Sequence, residues 1–184
     1  GEIVLLAQTD LGYTNLSKLL SKTLLDADAV HDPSCSLDDL EAHAEGLILL
    51  SGGALAGFVG APAGDGRPTL AAARADRLAA IFGDRFYIEL QRHGLGIERT
   101  AEPHLLEIAD RLHLPLVATN DCRFENAAMS QPHDTLVCIG TGRKFSETNR
   151  PRFSPEHYFK TAAQMSELFQ DIPEAISNTL VIAK

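Results

Sequence analysis

The sequence predicts an α/β fold in which parallel strands are covered by helices, and three observations carry that reading. Short apolar runs alternate with stretches whose apolar residues recur every three to four positions. The runs are nearly continuous rather than alternating apolar and polar, as expected of strands buried on both faces. The chain has 184 residues, 45% of them hydrophobic, which is enough for one domain with a real core.

The elements follow in order. "EIVLLAQ" (2–8) reads as a buried strand. "TNLSKLLSKTLLDA" places Leu16, Leu19, Leu20 and Leu24 on one helix face. "SLDDLEAHAE" reads as a short helix with Ser36 as N-cap. "GLILLSGG" (46–53) is a second strand ending in a glycine turn. "GAPAGDGRP" (60–68) reads as a surface loop. "TLAAARADRLAAIFG" is a helix stopped by Gly83. "RFYIELQ" (85–91) is a third strand, and "ERTAEPHLLEIADRLH" a helix whose regular part is expected to start near Pro103. "PLVAT" (115–119) is a fourth strand. "SQPHDTLVCIG" is helical, and "TGRKFSETNRPRFSP" (141–155) is a long, charged, solvated connection. "TAAQMSELF" carries Thr161 and Gln164 as a capping box, with Met165, Leu168 and Phe169 as core, and "PEAISNTLVIA" opens on Pro173.

Composition narrows the function. The formal charge is −9 and the pI about 5.2, so bulk electrostatics do not favour holding a nucleic-acid backbone. No apolar run is long enough to span a bilayer, and residues 1–30 show no signal peptide. Cys35, Cys122 and Cys138 are too few and too scattered for a disulfide framework or a CxxC site, which points to a reducing cytoplasm. No GxGxxG or Walker loop follows a strand. A barrel and an open doubly wound sheet both fit. Four strands fall short of the roughly eight of a closed barrel, and a start directly on a strand suggests a piece of something larger.

In parallel α/β folds ligands gather at the C-terminal strand ends. Here those ends supply Ser51-Gly52-Gly53, Glu89 to Gly94, and Thr119-Asn120-Asp121. His93 follows the third strand and His133 the fourth. Two imidazoles on one rim could bind a divalent transition metal. His31, His43, His104, His113 and His157 are poorer candidates, because they fall on helices or loops.

At this point the residues resemble a known family. "VLLAQTDLGYTNL", "GLILLSGG", "FYIELQRHGL", "LPLVATNDCRF", "HDTLVCIGTGR" and "EHYFKTAAQMSELFQDIPEAISNTLVIA" match one family in order and spacing. It is the N-terminal PHP (polymerase and histidinol phosphatase) domain of the bacterial replicative DNA polymerase III alpha subunit, in a style nearest the alpha-proteobacterial members. The resemblance implies a distorted seven-stranded β/α, TIM-like barrel lacking its first strands. Residues 1–184 would all be PHP domain, incomplete at the N-terminus, with 141–184 leading toward the polymerase core.

Active members hold zinc or manganese on His, Asp, Glu or Cys ligands and hydrolyse phosphoesters, including 3′–5′ exonuclease work. Clustered cations there ionise a water and neutralise phosphoryl oxygens. Carried over by motif, His93 and His133 are the candidate metal ligands, with Glu2 a weaker third. The family's HxH strand is not in this sequence. Gln131 stands where an Asp is expected two residues before His133, and Arg123 where relatives carry His. A site that needs several anionic ligands is weakened by both changes.

The resemblance therefore implies a non-catalytic PHP segment with a depleted metal site that supports a DNA polymerase. Its partners would be other holoenzyme subunits, including the proofreading exonuclease. DNA would be met through the full-length protein, whose polymerase domain uses magnesium outside this chain. An active metal-dependent phosphoesterase is the alternative, and a free-standing α/β enzyme is the reading without the resemblance.

Overall fold

The computed structural model describes residues 1–27 and 33–184. Its strands are β1 (Val4–Ala7), β2 (Leu47–Leu50), β3 (Phe86–Leu90) and β4 (Leu116–Ala118), in one sheet of order β1-β2-β3-β4. The helices are α1 (Asp10–Asp26), α2 (Leu37–Ala42), α3 (Gly60–Gly64), α4 (Pro68–Phe82), α5 (Gly96–Leu112), α6 (Ser130–Thr141), α7 (Ala162–Leu168) and α8 (Pro173–Ile182). The α/β class is as the sequence predicts, and the described strands form an open sheet.

The pairing is mixed, which corrects the all-parallel expectation. β2, β3 and β4 are parallel, but β1 runs antiparallel to β2, with Val4 opposite Leu50 and Ala7 opposite Leu47. The end of β1 thus lies beside the start of β2, so α1 and α2 return the chain to the end of the sheet it left. Apolar periodicity encodes which face of a strand is buried and carries no direction, so this was not legible in the residues. The start of α1 is pressed against the turn before β2: a Cβ on Gly12 would lie 1.8 Å from the Gly46 carbonyl oxygen. β1 is an edge strand with an open outer face, Val4 and Leu6 being exposed, rather than the buried strand expected.

Local chemistry sets the helix ends. Thr9 caps α1 by accepting the Gly12 N–H at 3.0 Å, so the helix starts ahead of its leucine stripe. Ser36 caps α2 through the Asp39 N–H, and Thr161 with Gln164 forms the predicted box on α7. α5 starts at Gly96 and runs through Pro103, contrary to the expected start. The ring removes one helical N–H, but Ala101, Leu105, Ile108 and Ala109 bury the face around it. The 60–68 stretch is also not a surface loop. It holds α3, with Gly60, Pro62 and Ala63 buried against α4 and α5, small residues that let three helices approach closely.

The main core lies between the sheet and its helices. Leu47, Leu49, Phe86, Ile88 and Leu90 meet Ala71, Ala75, Leu78 and Phe82 of α4 and Leu105 and Ile108 of α5. Ile48, Leu50, Tyr87 and Val117 form a smaller cluster on the other face, with Ile182 of α8 against them. No helix among the described residues is long and apolar enough to cross a membrane.

Candidate functional site

The C-terminal ends of β2, β3 and β4 open into one cleft of about 490 Å³. Glu2, Gly53, Glu89, Gln91, Thr119 and Asp121 line it, with Leu55, Arg123 and Phe153 at its walls. Glu89 is the charged residue of an otherwise apolar buried strand, and it is 4% exposed. Its backbone N–H donates to Ser51 Oγ at 2.9 Å. Its Oε1 accepts from Thr119 Oγ1 and, at 2.8 Å, from Gln91 Nε2. Its Oε2 has no donor among the described residues. Gly53 keeps the floor open, since a Cβ there would fall 2.1 Å from Gln91 Oε1.

His93 sits beside this cleft, buried at the turn into α5. Its Nδ1 lies 2.7 Å from Glu98 Oε1, and its Nε2 accepts the Asp121 N–H at 3.2 Å. An acceptor at Nε2 fixes the neutral tautomer with the proton on Nδ1, donated to Glu98. Glu98 Oε2 also accepts the N–H groups of His93 and Leu95 at 2.7 and 3.0 Å, which ties the first turn of α5 to the strand end. Burial pushes the Glu98 carboxyl up, but the His93 ring and these two amides outweigh it and hold it below the usual carboxylate range.

His157 stacks on His93 with centroids 3.9 Å apart and planes 12° from parallel. Ser154 fastens this segment by donating to the His93 carbonyl at 2.7 Å. Burial, reinforced by the His93 ring, pulls the His157 imidazole below the usual histidine range. His157 Nε2 is buried and has no partner among the described residues.

His133, on α6, lies away from His93. Phe124 and Phe153 flank its ring at 5.3 Å each, and Phe153 in turn meets His157 edge-on at 5.3 Å. The two candidate imidazoles are therefore joined through Phe153 and His157 rather than facing one another directly. Glu2 lies at the cleft wall, its backbone bridging to Ala56 and Phe58 at 2.7 Å each. Arg123 holds Asp121 Oδ2 from Nε and Nη2 at 3.0 and 2.8 Å and lies 4.7 Å over the Phe153 ring.

Gln131 is exposed on α6, where Asp134 pairs with buried Arg150. The hydrogen bond from Arg150 holds the Asp134 carboxyl below its ordinary range. Among the described residues no three His, Cys, Asp or Glu side chains gather closely enough to hold a metal ion. His43 caps α2 through the Asp39 carbonyl, His104 and His113 lie on and just after α5, and His31 falls outside the described residues.

A family profile described as "PHP domain" matches residues 1–93, from the edge strand through the cleft floor to His93. The chain belongs to the PHP domain family. Among its relatives, proteins named DNA polymerase III subunit alpha are 45% identical in Caulobacter vibrioides, over 99% of this chain, and 39% in Treponema pallidum, over 99%. The one in Vibrio cholerae is 38% identical over 100% of the chain. The chain spans only 16% of each of these relatives. In this PHP chain the profile takes in Glu2, Glu89 and His93, while the rim from Thr119 to His157 lies beyond it.

Sequence reasoning placed Glu89 at the rim without a role, set His157 aside as a poorer candidate and did not single out Glu98. Glu89 had a signal, a charge in the middle of "FYIEL" that only a buried partner network can tolerate. Glu98 had one as well: a Glu three residues into a helix that opens without a Ser, Thr or Asp cap. His157 had none, because its place against His93 depends on a contact between residues 64 positions apart.

Proposed function

We propose that this chain is a PHP segment of the alpha subunit of a bacterial replicative DNA polymerase III. There it acts as a structural and partner-docking domain with a depleted metal site. The relatives' names support the polymerase assignment, and one observation carries the rest. Both ring nitrogens of His93 are held in protein hydrogen bonds, by Glu98 and by the Asp121 amide, while the Asp121 carboxylate is held by Arg123. Zinc or manganese would have to displace the Asp121 amide from His93 Nε2 and compete with Arg123 for Asp121, and among the described residues no third ligand gathers beside them, so the residues present do not fit a multi-metal site.

The open sheet, on this reading, is the later part of a distorted seven-stranded barrel, and residues 141–184 lead toward the polymerase core. Its partners are other holoenzyme subunits in the cytoplasm, including the proofreading exonuclease. DNA and magnesium belong to the rest of the full-length protein.

Glu2 and the free Oε2 of Glu89 at the cleft favour a second reading, an active metal-dependent phosphoesterase with 3′–5′ exonuclease activity. Metal analysis of the full-length protein separates the two. We expect less than one equivalent of zinc or manganese after equilibration and gel filtration, with no 3′-end trimming of a labelled primer. Two or three equivalents that are lost on His133→Ala would overturn the structural reading.

A further inference from the structure

The amphipathic pattern of α6 is reversed. Its inward face carries polar groups: His133 sits between Phe124 and Phe153, and Asp134 pairs with buried Arg150. Its outward face is aliphatic. Met129 at the N-cap, then Pro132, Leu136 and Ile139, follow at intervals of three, four and three residues. All four are exposed, Leu136 by 65% and Ile139 by 73%. That spacing keeps them on one side of the helix. Apolar residues scattered singly on a surface are ordinary, whereas a stripe in register with a helix marks an interface. The same spacing lets one helix seat its side chains between those of another.

The stripe ends on cations. Arg143 and Lys144 follow the Gly142 C-cap, and both are exposed. The loop that carries them has a set shape. The Lys144 N–H donates to Glu147 Oε1 at 2.9 Å, and Arg150 donates to the Phe145 carbonyl at 3.4 Å while it holds Asp134. An ordered connection of this length is uncommon outside binding and active-site loops. The Arg143–Glu147 contact, 3.3 Å between exposed side chains, is weak enough to be exchanged for another carboxylate. Two cations at the end of an aliphatic stripe, on a chain of formal charge −9, select an acidic partner. A second copy of α6 does not supply one, because its acidic residue, Asp134, is turned inward to Arg150. Aliphatic side chains offer a nucleic acid neither a stacking face nor a donor.

We propose that α6 docks an amphipathic helix of a separate subunit. That helix carries aliphatic residues at three- and four-residue spacing, and Asp or Glu where it meets Arg143 and Lys144. The inference rests on the partner-docking reading and deepens it by naming the surface and the chemistry of its occupant.

The test uses the full-length protein in its native complex, with the photo-crosslinker benzoylphenylalanine placed at Ile139 and, separately, at exposed Tyr13 of α1. Mass spectrometry of the crosslinked peptides should join the Ile139 probe to a helix of a separate subunit with the stated pattern. The dissociation constant for that subunit should then rise at least tenfold in Leu136→Asp, and at least tenfold in the double variant Arg143→Glu with Lys144→Glu. Both variants change exposed side chains, so the melting temperature should stay at the wild-type value. A crosslink from Ile139 to the rest of the same polypeptide, to a second copy or to a labelled primer–template would overturn the inference. Affinity indifferent to both variants would do so as well. If a separate subunit is reached from Tyr13 and not from Ile139, the docking reading stands and the α6 surface is wrong. If neither probe reaches another subunit, the docking reading falls with it.

Discussion

Two buried polar clusters lie side by side at the strand ends, and they differ in how completely they are satisfied. Around His93, nearly every donor and acceptor has a partner: both ring nitrogens, both Glu98 oxygens, and the amides of His93, Leu95 and Asp121. The exception is His157 Nε2, a neutral nitrogen. Around Glu89, one carboxylate oxygen is left without a donor among the described residues, buried beneath the cleft at the strand ends. A saturated cluster has little left to offer a ligand and serves to tie elements together. An unsaturated one retains free energy of interaction that a ligand can supply.

The largest expected effect follows from breaking the saturated cluster. His93→Ala removes a buried ring and strands Glu98 without its main partner. A loss of about 2–4 kcal/mol is expected from the cavity and the unpaired carboxylate together. Amide exchange at Leu95 and Asp121 in the full-length protein should accelerate by roughly 30- to 1000-fold. Exchange at wild-type rates would mean that the cluster does not hold these turns.

Glu98→Gln is milder and sharpens the comparison through pH. The folded Glu98 carboxyl lies below its unfolded range, so its contribution is present above that range and lost as pH falls through the folded value. His157, held below the ordinary 6.5, acts in the same direction: its neutral form favours folding, and acid removes that advantage. Wild type should therefore lose stability below about pH 6.5 in two stages, histidine first. Glu98→Gln should cost about 1–2 kcal/mol at neutral pH and flatten the second stage, as read by thermal melting against pH. An unchanged acid limb would show that Glu98 is not the group responsible.

The smallest effect belongs to the unsaturated cluster. Glu89→Gln keeps an acceptor for Thr119 and Gln91 and removes an unpaired charge site, so stability should change by less than about 1 kcal/mol. A loss comparable to that of His93→Ala would show that the two clusters do the same structural job.

Much of this was legible beforehand, and the failures have identifiable causes. The helix caps at Ser36 and Thr161 and the helix start at Pro173 were readable because each is chemistry over three or four neighbouring residues. The buried α3 was missed because "GAPAG" looks like a loop until its small residues are needed for close helix packing. Arg150, read as part of a solvated connection, is buried because Asp134, sixteen residues away, turns toward it. The place of His93 at the strand-end rim was legible by position, but its hydrogen-bonded state was not.

Local periodicity and short-range hydrogen bonding were enough to give the α/β class, the strands, most helix ends and the rim where polar residues collect. The direction of β1, the stacking of His157 on His93 and the Glu89 oxygen left without a donor among the described residues came from long-range packing. Each depends on which distant side chains arrive at the same point, and that is set by packing rather than by any stretch of neighbouring residues.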